Sequence, residues 1–197
     1  MNILIFEPHA DDAAIGLGGA IARFSDENHF VFSVVVTKRK DLGYRDETKE
    51  AFDILGIDGC FFLDYEVRRL FESRQELLDD MLIIKKDIKP NIVFVPSPDD
   101  VHQDHSVVSA EAVRAFMDCS LFGYEAPRNE PQTHHSMYYA LDKEHIDKKV
   151  RAVECYKSQL PSRIQMTGGF IRSLAEIRGA QIGRKYAEAF TVYRYVA

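Results

Sequence analysis

Two short polar clusters carry the residues whose types and spacing suit chemistry. The first, Pro8-His9-Ala10-Asp11-Asp12, sets an imidazole three residues before one carboxylate with a second carboxylate between them. The second runs from Pro96 to His105 and ends in His102-Gln103-Asp104-His105. Two histidines and a carboxylate can hold a divalent cation while leaving one position open for water, and His9, Asp12 and His105 form such a set. Zinc brings the pKa of its bound water to about 7, where a nearby carboxylate can take the remaining proton. Asp11 is the expected base: with Asp12 turned toward the metal, its neighbour is left to face the water. His102 is expected to face the substrate, a protonated ring there stabilising an oxyanion and then protonating a leaving amine, with Asp104 or Asp100 holding it in place. The competing reading, that Asp11 and Asp12 only cap a helix, leaves His9 without a role.

Both clusters need elements to position them. Ile3-Leu4-Ile5-Phe6 and the glycine-dotted run Ile15 to Ala22 predict a strand, a sharp turn and a helix around the first cluster, and Phe30 to Val36 reads as a second strand buried on both faces. Periodicity predicts a helix from Arg45 to Leu55 stopped by Gly56, a short strand from Cys60 to Leu63 and an amphipathic helix from Ser73 to Lys89 ended by Pro90. Ile92 to Val95 is a buried strand leading straight into the second cluster, and a helix follows over Val107 to Met117. Beyond it lie a loop from Ala126 to Thr133, a strand from Met137 to Leu141, helices over Ile146 to Leu160 and Ile171 to Gly183, and a last strand from Phe190 to Val196. Strands alternating with helices predict an α/β fold, a mostly parallel twisted sheet with helices on both faces in a Rossmann-like three-layer sandwich, as a single domain over residues 1–197. Both clusters then fall at the carboxyl ends of strands, where open α/β sheets bind ligands.

Composition narrows the partners. Hydrophobic residues make up 46% of the 197 and no apolar run approaches the roughly 20 residues needed to span a bilayer. A start without a basic segment, interrupted by Glu7 and His9, does not fit a secretory signal, so a cytoplasmic location is expected. A formal net charge of -6 argues against nucleic acid as the partner. The Lys38-Arg39-Lys40 run reads as a solvated strand end or as help in holding an anionic substrate. Cys60, Cys119 and Cys155 lack the spacing of a disulfide framework or thiolate metal site and read as buried thiols. His29, His134, His135 and His145 read as exposed, with His134 and His135 able to border a substrate. Gly16-Leu17-Gly18-Gly19 fails as a dinucleotide fingerprint, because Ile21 stands where glycine or alanine is needed and two aspartates stand where a pyrophosphate would lie. His9-Ala10-Asp11 with a distant histidine has the letters of an iron facial triad, but those sites usually sit on all-β jelly rolls.

The chain resembles the LmbE-like, or PIG-L, family of metal-dependent deacetylases along nearly its whole length. The signature PHPDDE appears as Pro8-His9-Ala10-Asp11-Asp12-Ala13 and HxDH as His102-Gln103-Asp104-His105. Glu47, Ala51, Leu55 and Gly56 match the family's helix, and Lys157-Ser158-Gln159 and Tyr186-Ala187-Glu188-Ala189-Phe190 look like its carboxyl-terminal motifs. The resemblance implies zinc on His9, Asp12 and His105, Asp11 as general base, and His102 as electrophile and general acid oriented by Asp104. It implies hydrolysis of an N-acetyl group from an N-acetylglucosaminyl conjugate, a small-molecule substrate, and places Arg45 near a substrate-binding arginine. A homo-oligomer is compatible with it. The family's glutamate is Ala13 here, which leaves a catalytically silent metal- or sugar-binding member as the alternative.

Overall fold

The computed structural model of the chain describes residues 1–38, 43–159 and 163–197. Arg39, Lys40 and Leu160, which belonged to two of the expectations above, lie outside the described residues. The strands are β1 (Asn2–Glu7), β2 (Phe30–Lys38), β3 (Gly59–Glu66), β4 (Ile92–Pro96), β5 (Ser120–Tyr124), β6 (Met137–Leu141) and β7 (Tyr186–Arg194). The helices are α1 (Asp12–Asp26), α2 (Tyr44–Leu55), α3 (Arg74–Ile88), α4 (Gln103–Ala115), α5 (Lys143–Glu154) and α6 (Gly168–Ala180). The sheet order is β3-β2-β1-β4-β5-β7-β6. Its first five strands are parallel, and β7 runs antiparallel to both β5 and β6.

The pattern along β1 shows why the sheet is covered twice. Ile3 and Ile5 pack into one apolar layer with residues of α1, α2, α5 and α6, whereas Leu4 and Phe6 pack into the other with residues of α3 and α4. Successive strand side chains point to opposite faces, so a central strand with helices on both sides must be apolar throughout. Gly56 ends α2 at φ +80, its N–H bonding the Phe52 carbonyl, as the sequence led one to expect.

Several boundaries differ from expectation. β5 was not foreseen: Ser-Leu-Phe-Gly-Tyr is short and carries Gly123, where a Cβ would fall 2.9 Å from the Ser97 Cα. The α4 helix starts at Gln103 rather than Val107, so Asp104 and His105 lie in its first turn and His102 is its N-cap. The α5 and α6 helices each begin three residues earlier than predicted, and β7 begins at Tyr186 rather than Phe190.

The glycine run finds a packing explanation. The α1 helix is interrupted at Leu17 (φ −141, ψ 22), and the Gly19 and Ala20 N–H groups donate to the Glu188 carboxylate at 2.9 and 2.7 Å. Lys149 Nζ donates to the same carboxylate at 2.6 Å, and both members of this pair are buried. A Cβ on Gly16 would meet the Tyr124 ring at 2.5 Å, and one on Gly19 would meet Leu141 at 2.5 Å. Among the described residues no helix is long and apolar enough to cross a membrane.

Candidate active site

The chain leaves β1 toward β2 through α1 and leaves β4 toward β5 through α4, on opposite sides of the β1–β4 pair. Strand order reverses there, opening a crevice at the strands' carboxyl ends. The two polar clusters, far apart in sequence, meet in it.

His9 Nδ1, Asp12 Oδ2 and His105 Nε2 form a nearly equilateral triangle. Asp12 Oδ2 lies 3.2 Å from His9 and 3.1 Å from His105, and the two ring nitrogens lie 3.1 Å apart. Zinc bound tetrahedrally at about 2.0–2.1 Å sets its ligand atoms roughly 3.3 Å apart, so the triangle fits one face of such an ion. The opposite ring nitrogens are occupied by carboxylates: His9 Nε2 lies 3.1 Å from Asp104 Oδ2, and His105 Nδ1 lies 2.6 Å from Asp100 Oδ2. Carboxylates behind ligating histidines fix the tautomer and raise the basicity of the inner nitrogen. His102 also brings a ring nitrogen within 4.8 Å of those of His9 and His105, so the three histidines form a cluster that could hold a metal.

The electrostatics suit a cation. Burial disfavours a charge on His9, but the Asp12 carboxylate and the bond to Asp104 raise its pKa to about 9. Burial likewise opposes charge on His105, and Asp12 with Asp100 raises it to about 10. Burial works against the ionised Asp12 too, yet the two imidazoles hold its carboxyl far below the usual range. The carboxylates around the two rings thus favour positive charge at this point of the fold.

Asp11 occupies the N-cap position of α1 without any side-chain cap bond, so the capping reading is not what positions it. It is buried, and its Oδ2 accepts from Arg163 Nη1 at 2.9 Å. The Asp12 side chain folds back to accept the His9 N–H at 2.8 Å. His102 caps α4, its Nδ1 accepting the Asp104 N–H at 3.2 Å, which puts the proton of the neutral ring on Nε2. Burial and the neighbouring His9 and His105 push its pKa down, favouring a neutral donor rather than the protonated ring expected from sequence. The Asp104 carboxylate, expected to orient His102, instead reaches His9, because the first turn of α4 directs it toward β1.

Arg45 does not line the cavity. Its guanidinium is held by both Asp64 oxygens, at 2.6 and 2.5 Å, and stacks over the Phe62 ring at 4.7 Å. Glu47 accepts from the Ser158 N–H and hydroxyl at 3.0 and 2.7 Å, tying α2 to the segment that carries Gln159. His134 is exposed on Asp99, but the His135 side chain is buried near Glu125, and His145 is buried as part of the α5 capping box. Cys119 and Cys155 are buried free thiols and Cys60 is half-buried.

A buried carboxyl group reaches the backbone at Ala13. Glu7 is fully buried at the end of β1; its Oε2 accepts the Ala13 N–H at 3.2 Å and its Oε1 accepts the Ser33 hydroxyl at 2.6 Å. Burial pushes its carboxyl well above the usual range. The turn presenting Asp11 and Asp12 is thereby fastened from inside the fold.

The clusters open into a cavity of about 370 Å³, within the roughly 300–1,000 Å³ of small-molecule sites. Arg68, Arg128 and Arg163 line it, and none was singled out from the sequence. Each stands in a loop far along the chain from the clusters, and no local pattern marks it.

A diacetylchitobiose deacetylase from Thermococcus kodakarensis is 27% identical over 217 residues, covering 95% of this chain and 81% of its own. The structure of N,N'-diacetylchitobiose deacetylase from Pyrococcus horikoshii superposes with a TM-score of 0.79 at 24% identity, covering 97% of this chain and 83% of that one. GalB, the 4-carboxy-2-hydroxymuconate hydratase from Pseudomonas putida KT2440, shares the fold at a TM-score of 0.82 and 18% identity, covering 100% and 97%. The family model described as GlcNAc-PI de-N-acetylase matches residues 4–116, more than half the chain and both polar clusters, and with this the chain belongs to the GlcNAc-PI de-N-acetylase (PIG-L) family of deacetylases.

Proposed function

We propose that the protein is a zinc-dependent amidase that removes an N-acetyl group from an amino-sugar conjugate of the N-acetylglucosaminyl type. The observation that carries this reading is the triangle of His9 Nδ1, Asp12 Oδ2 and His105 Nε2, with Asp104 and Asp100 on the outer nitrogens of the two rings.

His9, Asp12 and His105 would hold the ion, which when bound acidifies water and polarises a carbonyl. Asp11, beside them in the cavity, takes the proton of the attacking water. Its bond from Arg163 fixes the direction of the carboxylate. His102 offers Nε2–H to the oxygen on which negative charge develops, the other ring nitrogen being occupied by the α4 cap. The proton on Asp11 then passes to the departing amine, so that the amide C–N bond breaks to give a free amine and acetate.

The silent alternative rests on Ala13, which stands where the family has glutamate. Acetate release from N-acetylglucosamine, N,N'-diacetylchitobiose and related conjugates, assayed with and without added zinc, tests the proposal. Bound zinc without acetate from any of them would leave the silent reading in its place.

A further inference from the structure

The outer face of α3 carries two large aliphatic side chains that the core does not use. Leu77, Leu78, Met81 and Ile84 turn into the apolar layer shared with α4 and the sheet, whereas Leu82 and Ile83 remain 45% and 60% exposed. They sit between Asp79 and Lys86, and the four residues occupy positions i, i+3, i+4 and i+7, which form one stripe along a helix. All four are exposed, and none lines the cavity.

Scattered exposed aliphatic residues are ordinary on a protein surface, so exposure alone identifies nothing. The charges around this pair are less ordinary. Ahead of it α3 is acidic, with Glu76, Asp79 and Asp80; after it come Lys85, Lys86 and the C-cap Lys89, with Asp87 among them. Lys85 is committed to Asp118 and the Ala115 carbonyl. Among the described residues Lys86 has no acidic partner, and Asp79 has no cation, accepting from the neutral Gln75 amide at 2.8 Å. The helix dipole favours acids first and bases last, and it accounts for that order. It does not account for the two aliphatic side chains left in water at the middle. The midpoint between Leu82 and Ile83 is as far from Asp79 as from Lys86, about 5 Å either way along the axis.

A stripe whose ends are opposite in charge and equidistant from an apolar centre is complementary to a reversed copy of itself. We propose that α3 is the contact of a two-fold dimer, in which α3 of each copy lies antiparallel on α3 of the other, Leu82 and Ile83 meet their own counterparts at the axis, and Asp79 of each copy faces Lys86 of the other. In such an isologous contact each pairing occurs twice. It takes four aliphatic side chains out of water and gives both unpaired charges a partner. A single helix pair lies at the small end of specific interfaces, so the dimer is expected to dissociate in the micromolar range. The contact does not depend on the deacetylase reading, and the cavity stays outside it.

Sedimentation equilibrium from low micromolar to sub-millimolar protein tests the dimer. The wild type is expected to pass from monomer to dimer across that range. Asp79→Lys sets like charges together at both ends of the contact, and so does Lys86→Asp; each should weaken association by about tenfold or more. Mixed in equal amounts, these two variants should pair with one another, because each end of the mixed dimer regains one acid and one base. The double variant Asp79→Lys/Lys86→Asp exchanges the charges and should associate as the wild type does. Leu82→Glu should abolish association while thermal unfolding stays cooperative, the position being exposed. A wild type that remains monomeric throughout rules the dimer out, and one whose association none of these variants changes places the contact on another face. Failure of both the mixture and the double variant to recover association overturns the antiparallel pairing.

Discussion

Asp104 Oδ2 lies 3.1 Å from His9 Nε2 and also accepts the Arg68 N–H at 2.9 Å, so one buried oxygen fixes both the His9 ring and the loop facing it. Replacing Asp104 by Asn keeps the shape but removes the charge that makes the inner nitrogen of His9 a better donor. Loss of such a supporting group typically lowers metal affinity 10–100-fold, and that fall is expected for Asp104→Asn in chelator competition. An unchanged zinc dissociation constant would remove Asp104 from this role.

Asp11→Asn is expected to behave differently. Asp11 supplies no corner of the ligand triangle, so bound zinc should remain near one equivalent by elemental analysis. Turnover should fall by roughly 10²–10⁴-fold, the usual share of a general base. A variant with full activity would show that the proton goes elsewhere.

How far the sequence reached depended on distance along the chain. Both clusters were legible because each follows a strand whose unbroken apolar run marks it as central, and Gly56 marked the end of α2 by its left-handed geometry. β5 escaped because Gly123 interrupts its short apolar run, and it is glycine because the Ser97 backbone passes too close for a Cβ. β7 runs antiparallel to β5 and β6 after two successive helices, α5 and α6, and nothing within the strand's own residues marks that direction. The contacts of Arg163 with Asp11 and of Arg68 with Asp104 join residues far apart in sequence, and spacing carries no sign of them. Arg45 pairs with Asp64 and is not among the residues lining the cavity, and a nearly matching motif position carries no sign of that partner.

Glu7 should matter through the turn it fastens. Glu7→Ala leaves the Ala13 N–H and the Ser33 hydroxyl without their buried acceptor, at a cost of about 1–3 kcal/mol for each unsatisfied group. It should lower both the melting temperature and kcat, since the freed turn carries Asp11 and Asp12. Glu7→Gln keeps an acceptor and should retain most of both. Wild-type stability in Glu7→Ala would show that the turn holds itself.

The buried Lys149–Glu188 pair predicts a larger stability effect. Lys149→Met leaves the Glu188 carboxylate buried with only the Gly19 and Ala20 N–H groups to offset its desolvation. Breaking one partner of a buried pair costs about 3–5 kcal/mol, or roughly 10 °C in melting temperature for a chain of this size. Adding Glu188→Gln should recover part of that loss, because the stranded charge is gone. Thermal unfolding of the single and double variants gives the coupling, and additive losses would mean that the two side chains act independently.

The metal site predicts a pH dependence that zinc should abolish. In the metal-free protein His9 and His105 titrate near 9 and 10, above the ordinary imidazole value of 6.5. Groups whose folded pKa is raised add stability that is fully present below about pH 6.5 and is lost as pH rises through the folded values. The chelated protein should therefore lose melting temperature between about pH 7 and 10, as the Asp12 carboxylate is left facing two neutral rings. With zinc bound, the ion replaces those protons and the decline should flatten across the same range. Binding should release protons near neutral pH, and apparent affinity should rise with pH until the histidines have lost them. Thermal unfolding and calorimetry in buffers of different ionisation enthalpy read both effects; equal pH profiles with and without zinc would separate the ion from these two rings.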